Sequence, residues 1–122
     1  MTLSASVLHD DGVALLTLGG ELDLEVLPLV RRSVEEVLQD GLRVVVVDLT
    51  GLTFCDSSGL GALLRASRTV RELGGRCLVA GARGPVLRLM SLTDLGRVLE
   101  LCDDVGVALR AAHAELETPY EA

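Results

Sequence analysis

A nine-residue segment, Thr53-Phe54-Cys55-Asp56-Ser57-Ser58-Gly59-Leu60-Gly61, combines two serine hydroxyl groups, a carboxylate and two glycines. Asp and Ser oxygens accept the unpaired N–H groups of a first helical turn, so this segment predicts a helix start. Phosphorylation of a hydroxyl there adds roughly −1.5 to −2 charge. The helix dipole and the free N–H groups favour that charge, whereas the neighbouring carboxylate opposes it. We therefore expect a switch here rather than a catalyst.

Gly59 and Gly61 lie where the first turns of this helix are expected. Each glycine in a helix costs about 0.5–1 kcal/mol relative to Ala. Two explanations fit the pattern. Either the glycines pack closely against the sheet or adjust the helix start, or the surface of another molecule approaches closely at these positions.

Several kinds of enzyme are disfavoured by what the chain lacks. It contains no Lys, which excludes a P-loop ATPase and Schiff-base chemistry. A Ser hydrolase needs a base near its serine, but His9 and His113 lie near opposite ends of the chain and Gly-x-Ser-x-Gly is absent. We therefore expect no catalytic residues and no enzymatic activity.

Two further enzyme patterns are incomplete. The run of four valines before Asp48 is similar to the strand that precedes the Asp of aspartyl-phosphate phosphatases and receiver domains, but both classes use a Lys, and position 50 is Thr. We expect Asp48 to end a strand or lie in a turn. The Gly-x-Gly-x-x-Gly fingerprint of dinucleotide-binding proteins is incomplete, because Gly59-x-Gly61 is followed by Leu at position 64 instead of a third Gly. Weak nucleotide binding at the helix terminus alone stays open. We expect no cofactor and no metal.

The chain has 122 residues, 49% of them hydrophobic, and a net charge of −7, which fits one acidic domain and disfavours nucleic-acid binding. Residues 65–97 carry seven Arg against two acidic residues, a net charge of +5. These arginines form either a solvated helix face or a patch that binds an anion or a partner. Cys55, Cys77 and Cys102 are expected to be buried, reduced thiols. Without a basic N-terminal region or an apolar run of ~20 residues, we expect a cytoplasmic protein that does not insert into membranes.

Hydrophobic periodicity and turn residues predict alternating strands and helices. Strands are expected at residues 3–8, 13–18, 44–47, 77–80 and 98–101, and helices at 24–38, 56–73, 85–92 and 104–114. This order predicts an α/β fold with a mostly parallel sheet, an antiparallel N-terminal edge hairpin and about four helices. We expect one domain over residues 1–122, with its core at about 3–113 and an acidic tail at 114–122.

Two motifs resemble a known family. Gly20-Glu21-Leu22-Asp23 and Asp56-Ser57-Ser58-Gly59-Leu60-Gly61 are similar to those of STAS domains, specifically the bacterial anti-sigma factor antagonists, and the resemblance covers about residues 3–113. It implies that a partner anti-sigma factor, which is also an ATP-dependent Ser kinase, phosphorylates Ser58. It also implies that the unphosphorylated protein binds this partner and frees the sigma factor, and that a Ser/Thr phosphatase resets the switch.

The resemblance also implies a partner-binding surface, which comprises Asp23, Asp56, Ser57, Ser58, Gly59 and Gly61. For Ser57, capping of the helix is the more natural role. Where the family often has Thr-Ala, this chain has Val26-Leu27, which removes a hydroxyl that could cap a helix or contact a partner. STAS domains also serve as scaffold modules of stress-signalling assemblies and as cytoplasmic accessory subunits of lipid transporters. Both alternatives stay open, as does the choice between monomer and dimer.

Overall fold

The computed structural model of the protein describes residues 3–117, which form one sheet with helices on both faces. In spatial order the five strands are β1 (Leu3–Asp10), β2 (Val13–Leu22), β3 (Val44–Cys55), β4 (Arg76–Ala80) and β5 (Glu100–Cys102). β1 pairs with β2 in antiparallel orientation, and all other pairs are parallel. The predicted α/β fold with an antiparallel N-terminal hairpin is confirmed.

Helices connect the parallel strands. They are α1 (Leu27–Gln39), α2 (Ser57–Glu72), α3 (Gly84–Leu92), the single turn α4 (Leu95–Val98) and α5 (Val105–Glu117), with a 3-10 turn at Leu24–Val26 ahead of α1. Apolar side chains of α1, α2 and α3 pack on one face of the sheet. On the other face α5 packs through Ala108 and Ala112, whose small side chains let the helix lie close to the strands.

The first two strands are joined by a tight turn at Asp11-Gly12. Both residues have positive φ, 48° and 90°. Turns with two positive φ angles match the twist of a hairpin, and Asp-Gly is a preferred pair for them. The turn lies between the two strands predicted at residues 3–8 and 13–18, but it is shorter than the predicted gap because His9 and Asp10 belong to β1.

β2 and β3 extend well beyond their predicted ends. β2 continues through Gly19 and Gly20 to Leu22, because pairing with β3 persists there across two register shifts. β3 runs for 12 residues, so Asp48 lies inside a strand and not at its end, and its carboxylate accepts the N–H of Thr50 at 2.8 Å. Ladder pairing on neighbouring strands, which sequence periodicity does not report, stabilises both extensions.

The last elements are also shifted from their predicted bounds. Val98 belongs to the helical turn α4, and the last strand begins only at Glu100. α5 starts after Asp104, whose carboxylate accepts the N–H of Val107 at 2.8 Å, and continues to Glu117. Residues 114–117 of the expected tail are thus helical, and residues 118–122 lie outside the described part of the chain.

Candidate functional site

The two sequence motifs meet at the carboxyl ends of neighbouring strands. Leu22 at the end of β2 is paired with Cys55 at the end of β3, so the residues that follow them, Asp23 and Asp56, leave the sheet side by side. The N–H of Asp56 donates to the carbonyl of Leu22 at 3.3 Å and ties the two segments together. The carboxyl ends of parallel strands are the usual position of binding sites in α/β sheets.

Both carboxylates are held by backbone N–H groups. Asp56 is the N-cap of α2, where its Oδ1 accepts from Gly59 N at 2.8 Å. Asp23 plays the same role for the 3-10 turn and accepts from Glu25 N at 3.1 Å. The prediction that Ser57 caps the helix is therefore wrong, because the longer Asp side chain one residue earlier already reaches the third N–H of the turn.

The two serines differ in exposure. Ser57 is exposed, whereas Ser58 is half-buried at the start of α2. Within residues 3–117 neither hydroxyl makes a hydrogen bond to the protein, and the N–H groups of both serines donate to no protein acceptor. Open N–H groups at a helix start bind anions, and an unpaired hydroxyl beside them is free to react or to contact a partner.

The two glycines have different environments. Gly59 is buried, and a Cβ at this position would lie 2.5 Å from the carbonyl oxygen of Leu22 and 3.0 Å from Sγ of Cys55. At Gly61 a Cβ would meet only the Nη1 of Arg65, at 3.5 Å. Gly59 therefore allows α2 to pack closely on the end of β2. No contact within the described residues requires a glycine at position 61, which is consistent with the close approach of another molecule there.

A family model of the STAS domain matches residues 4–108 of this chain. The chain belongs to the STAS domain family. The resemblance found in the two sequence motifs is thereby confirmed, and the strand order of the structure agrees with it. The site just described is the place where the two family motifs come together in this STAS domain.

Individual relatives of this STAS domain are regulators of sigma-factor inhibitors. The chain is 32% identical over 105 residues to the anti-sigma F factor antagonist of Paenibacillus polymyxa, covering 85% of this chain and 90% of the relative. The crystal structure of an anti-sigma factor antagonist from Mycobacterium paratuberculosis superimposes with a TM-score of 0.81 at 28% identity, covering 92% and 95% of the two chains. Bacillus SpoIIAA in its phosphorylated form, at 20% identity over 88% and 99% of the chains with a TM-score of 0.65, shares the fold.

Apolar side chains lie exposed at this end of the STAS domain. Leu24 follows Asp23 and is 67% exposed, Phe54 near the end of β3 is 45% exposed, and Leu92 at the end of α3 is 78% exposed. Leu92 also lines a cavity of about 450 Å³ together with Cys55 and Arg88. Clustered apolar exposure beside polar groups is typical of protein interaction sites.

The thiols of the STAS domain are poor nucleophiles. Burial, with a smaller contribution from the Asp56 carboxylate, raises the pKa of Cys55 to about 11, and burial raises that of Cys77 to about 12. Both thiols are buried, as predicted, whereas Cys102 is half-buried. The Cys55 thiol next to the site is therefore protonated at neutral pH and serves packing, not covalent chemistry.

Both histidines lie at the opposite end of the sheet from Ser58. His9 Nε2 is 3.3 Å from Asp40 Oδ2, and His113 Nε2 donates to the carbonyl of Asp10 at 2.9 Å. No imidazole in the described residues can therefore act as a base for either serine. Over the same residues no group of three or more potential ligands could hold a metal, and no helix is long and apolar enough to cross a membrane.

Proposed function

We propose that this protein is an anti-sigma factor antagonist whose binding is switched by phosphorylation of Ser58. The unphosphorylated protein binds an anti-sigma factor that is also a Ser kinase and thereby frees a sigma factor. Support comes from membership of the STAS family and from the name of the Paenibacillus polymyxa relative. A scaffold or transporter-subunit role has no comparable support among the features of the site.

One observation carries the proposal. Ser58 combines a half-buried position, an unpaired hydroxyl and a helix N-terminus at the junction of the two family motifs. Ser57 shares the helix start, but it is exposed, so it is less suited to a closely fitted interface. A hydroxyl that makes no internal hydrogen bond can be modified without loss of stability to the free protein.

The chemistry needs no catalytic group from this chain. The Ser58 Oγ bonds to the γ-phosphorus of ATP held by the partner kinase, the bond from that phosphorus to the ADP oxygen breaks, and the hydroxyl proton passes to a base of the kinase. A Ser/Thr phosphatase later hydrolyses the phosphoester. The protein itself is thus a substrate and binding partner without a cofactor, and we place it with these partners in the cytoplasm.

Phosphate on Ser58 weakens the complex for two physical reasons. The added charge lies beside the Asp23 and Asp56 carboxylates, which concentrates negative charge on one surface. It also must lose water in an interface that includes exposed apolar side chains such as Leu24 and Leu92. The open N–H groups of α2 stabilise the phosphate on the free protein, which favours the released state.

The first test maps the phosphate. The purified protein is incubated with ATP and the kinase-type anti-sigma factors of the same genome, each purified, and the modified residue is located by mass spectrometry. We expect phosphate on Ser58 that is absent from Ser58→Ala and retained in the matched variant Ser57→Ala. Phosphate on Ser57 alone would overturn the residue assignment, and no phosphate with any active kinase would favour the scaffold or transporter-subunit role.

The second test measures binding to the same anti-sigma factors. Ser58→Ala is expected to bind in the presence and absence of ATP, whereas Ser58→Asp should bind more weakly by at least about tenfold, because a buried like charge costs several kcal/mol. Ser57→Asp is the matched control for added charge one residue away. Equal affinities of the two Ser58 variants would contradict the switch.

A further inference from the structure

A groove of about 390 Å³ lies between α1 and α2 on the outer side of the helical layer. Its most buried lining residues are apolar and comprise Val30, Val34 and Ala62. Ala66 lies one turn further along α2 and is half-buried. The groove exists because α2 has alanines at 62 and 66, where larger side chains would fill the space against α1.

The groove is continuous with the Ser58 site. Ser58, Ala62, Arg65 and Thr69 are spaced four, three and four residues apart, which places them along one stripe of α2. Ala62, Arg65 and Thr69 line the groove, and Ser58 lies at the N-terminal end of the same stripe. A partner that covers Ser58 and extends along this stripe would therefore enter the groove.

The charges at the rim define what could fill it. In α1, Arg31 Nε lies 3.8 Å from Glu35 Oε1, so the two side chains partly neutralise each other's charge. The guanidinium of Arg65 in α2 makes no ion pair or hydrogen bond among the described residues, so it is available to a carboxylate from outside. Apolar lining beside one free cation fits an amphipathic segment with an acidic residue at its edge.

We propose that this groove receives an amphipathic helix of the anti-sigma factor, with apolar side chains toward Val30 and Val34 and a carboxylate toward Arg65. A groove between two helices accepts a third helix by the packing that helical peptides commonly use. A cavity of about 150 Å³ holds one benzene ring, so the volume has room for about two large side chains. This inference rests on the proposed function and adds a second contact that selects the partner.

The test compares two charge reversals on one helix. Arg65→Glu places a like charge opposite the incoming carboxylate and should weaken binding of the purified anti-sigma factor by at least about tenfold. Arg68→Glu carries the same charge change on an exposed position outside the groove and should change the affinity by less than about threefold. Ala66→Leu fills the groove without changing charge and should also weaken binding.

The outcomes separate this inference from the proposed function. If Ser58→Ala and Ser58→Asp differ as expected but Arg65→Glu binds like Arg68→Glu, the groove is not a contact and the switch stands. Two other results would contradict the binding of a helix in the groove. One is full affinity of Ala66→Leu for the anti-sigma factor, and the other is a small apolar compound that binds the groove but leaves this affinity unchanged. If no purified anti-sigma factor binds the unmodified protein, both proposals fail. Circular dichroism checks that each variant is folded.

Discussion

The two ends of the sheet are built differently. At the end where the parallel strands start, polar and charged side chains link separate elements, with His9 near Asp40, His113 near Asp10, and Arg76 paired with both Glu100 and Glu115. At the end where Ser58 lies, carboxylates accept only backbone N–H groups, as Asp23 and Asp56 do. Among the described residues, no ion pair links side chains of separate elements there; the Arg31–Glu35 pair lies within α1.

Under the proposed function, this difference separates stability from recognition within one small domain. Side-chain contacts at one end join β1, β4, β5 and the ends of α1 and α5. The other end keeps hydroxyls, N–H groups and apolar side chains without internal partners, so they remain available to another protein. Rigid elements that position unpaired groups are the general basis of binding sites. Variants at each end should therefore separate loss of stability from loss of binding.

The largest change in stability is expected at Gly59. Gly59→Ala puts a Cβ 2.5 Å from the carbonyl oxygen of Leu22, and overpacking of this kind costs about 1–3 kcal/mol in the free energy of unfolding. The matched variant Gly61→Ala has space and should gain about 0.5–1 kcal/mol from helix propensity. Urea denaturation measures both. Equal shifts would contradict the assignment of Gly59 to packing and Gly61 to the surface.

Asp56 tests whether its charge and its capping role can be separated. Asp56→Ala removes the acceptor for Gly59 N and should destabilise the protein by about 1 kcal/mol. Asp56→Asn keeps an acceptor oxygen, so its stability should stay within a few tenths of a kcal/mol. Since Asp56→Asn removes a like charge beside Ser58, the phosphorylated form of this variant should retain more affinity for the anti-sigma factor than phosphorylated wild type. No difference in retained affinity would remove Asp56 from the switch.

At the opposite end, Arg76→Ala should affect stability alone. Arg76 Nε donates to Glu100 at 3.0 Å with its side chain 32% exposed, so the loss should be about 0.5–1 kcal/mol. The hydrogen bond from Arg76 lowers the pKa of Glu100, so this contribution is present above the ordinary pKa of the carboxyl and is lost as the pH falls through its folded value. A changed rate of Ser58 phosphorylation in this variant would show that the two ends are coupled.

The smallest effect is a pH dependence from His113. Its hydrogen bond to the Asp10 carbonyl, aided by the nearby Asp10 and Asp11 charges, raises the pKa of His113 above 6.5. The protonated form is therefore favoured by folding, and the stabilisation is complete below the ordinary pKa and lost as the pH rises through the folded value. In His113→Gln, the urea denaturation midpoint should therefore depend less on pH over this window than it does in the wild type. An unchanged pH profile would show that the contact does not favour the charged ring.

Much of the fold followed from local patterns. The order of strands and helices, the Asp11-Gly12 turn and the helix start after Asp56 all depend on periodicity or on contacts within four residues. The lengths of β2 and β3 did not, because their last residues stay in the sheet through pairing with each other. The same limit explains why Asp48 lies inside a strand.

The sequence by itself determined that Ser58 stands at a helix start within a motif of a known family, since short-range hydrogen bonding and spacing decide both. Only the tertiary structure decided which of the two glycines is buried. Gly59 meets the Leu22 carbonyl from 37 positions earlier in the chain, because the register of β2 and β3 brings their ends together. The groove between α1 and α2 likewise depends on how two separate helices pack, which no local pattern reports.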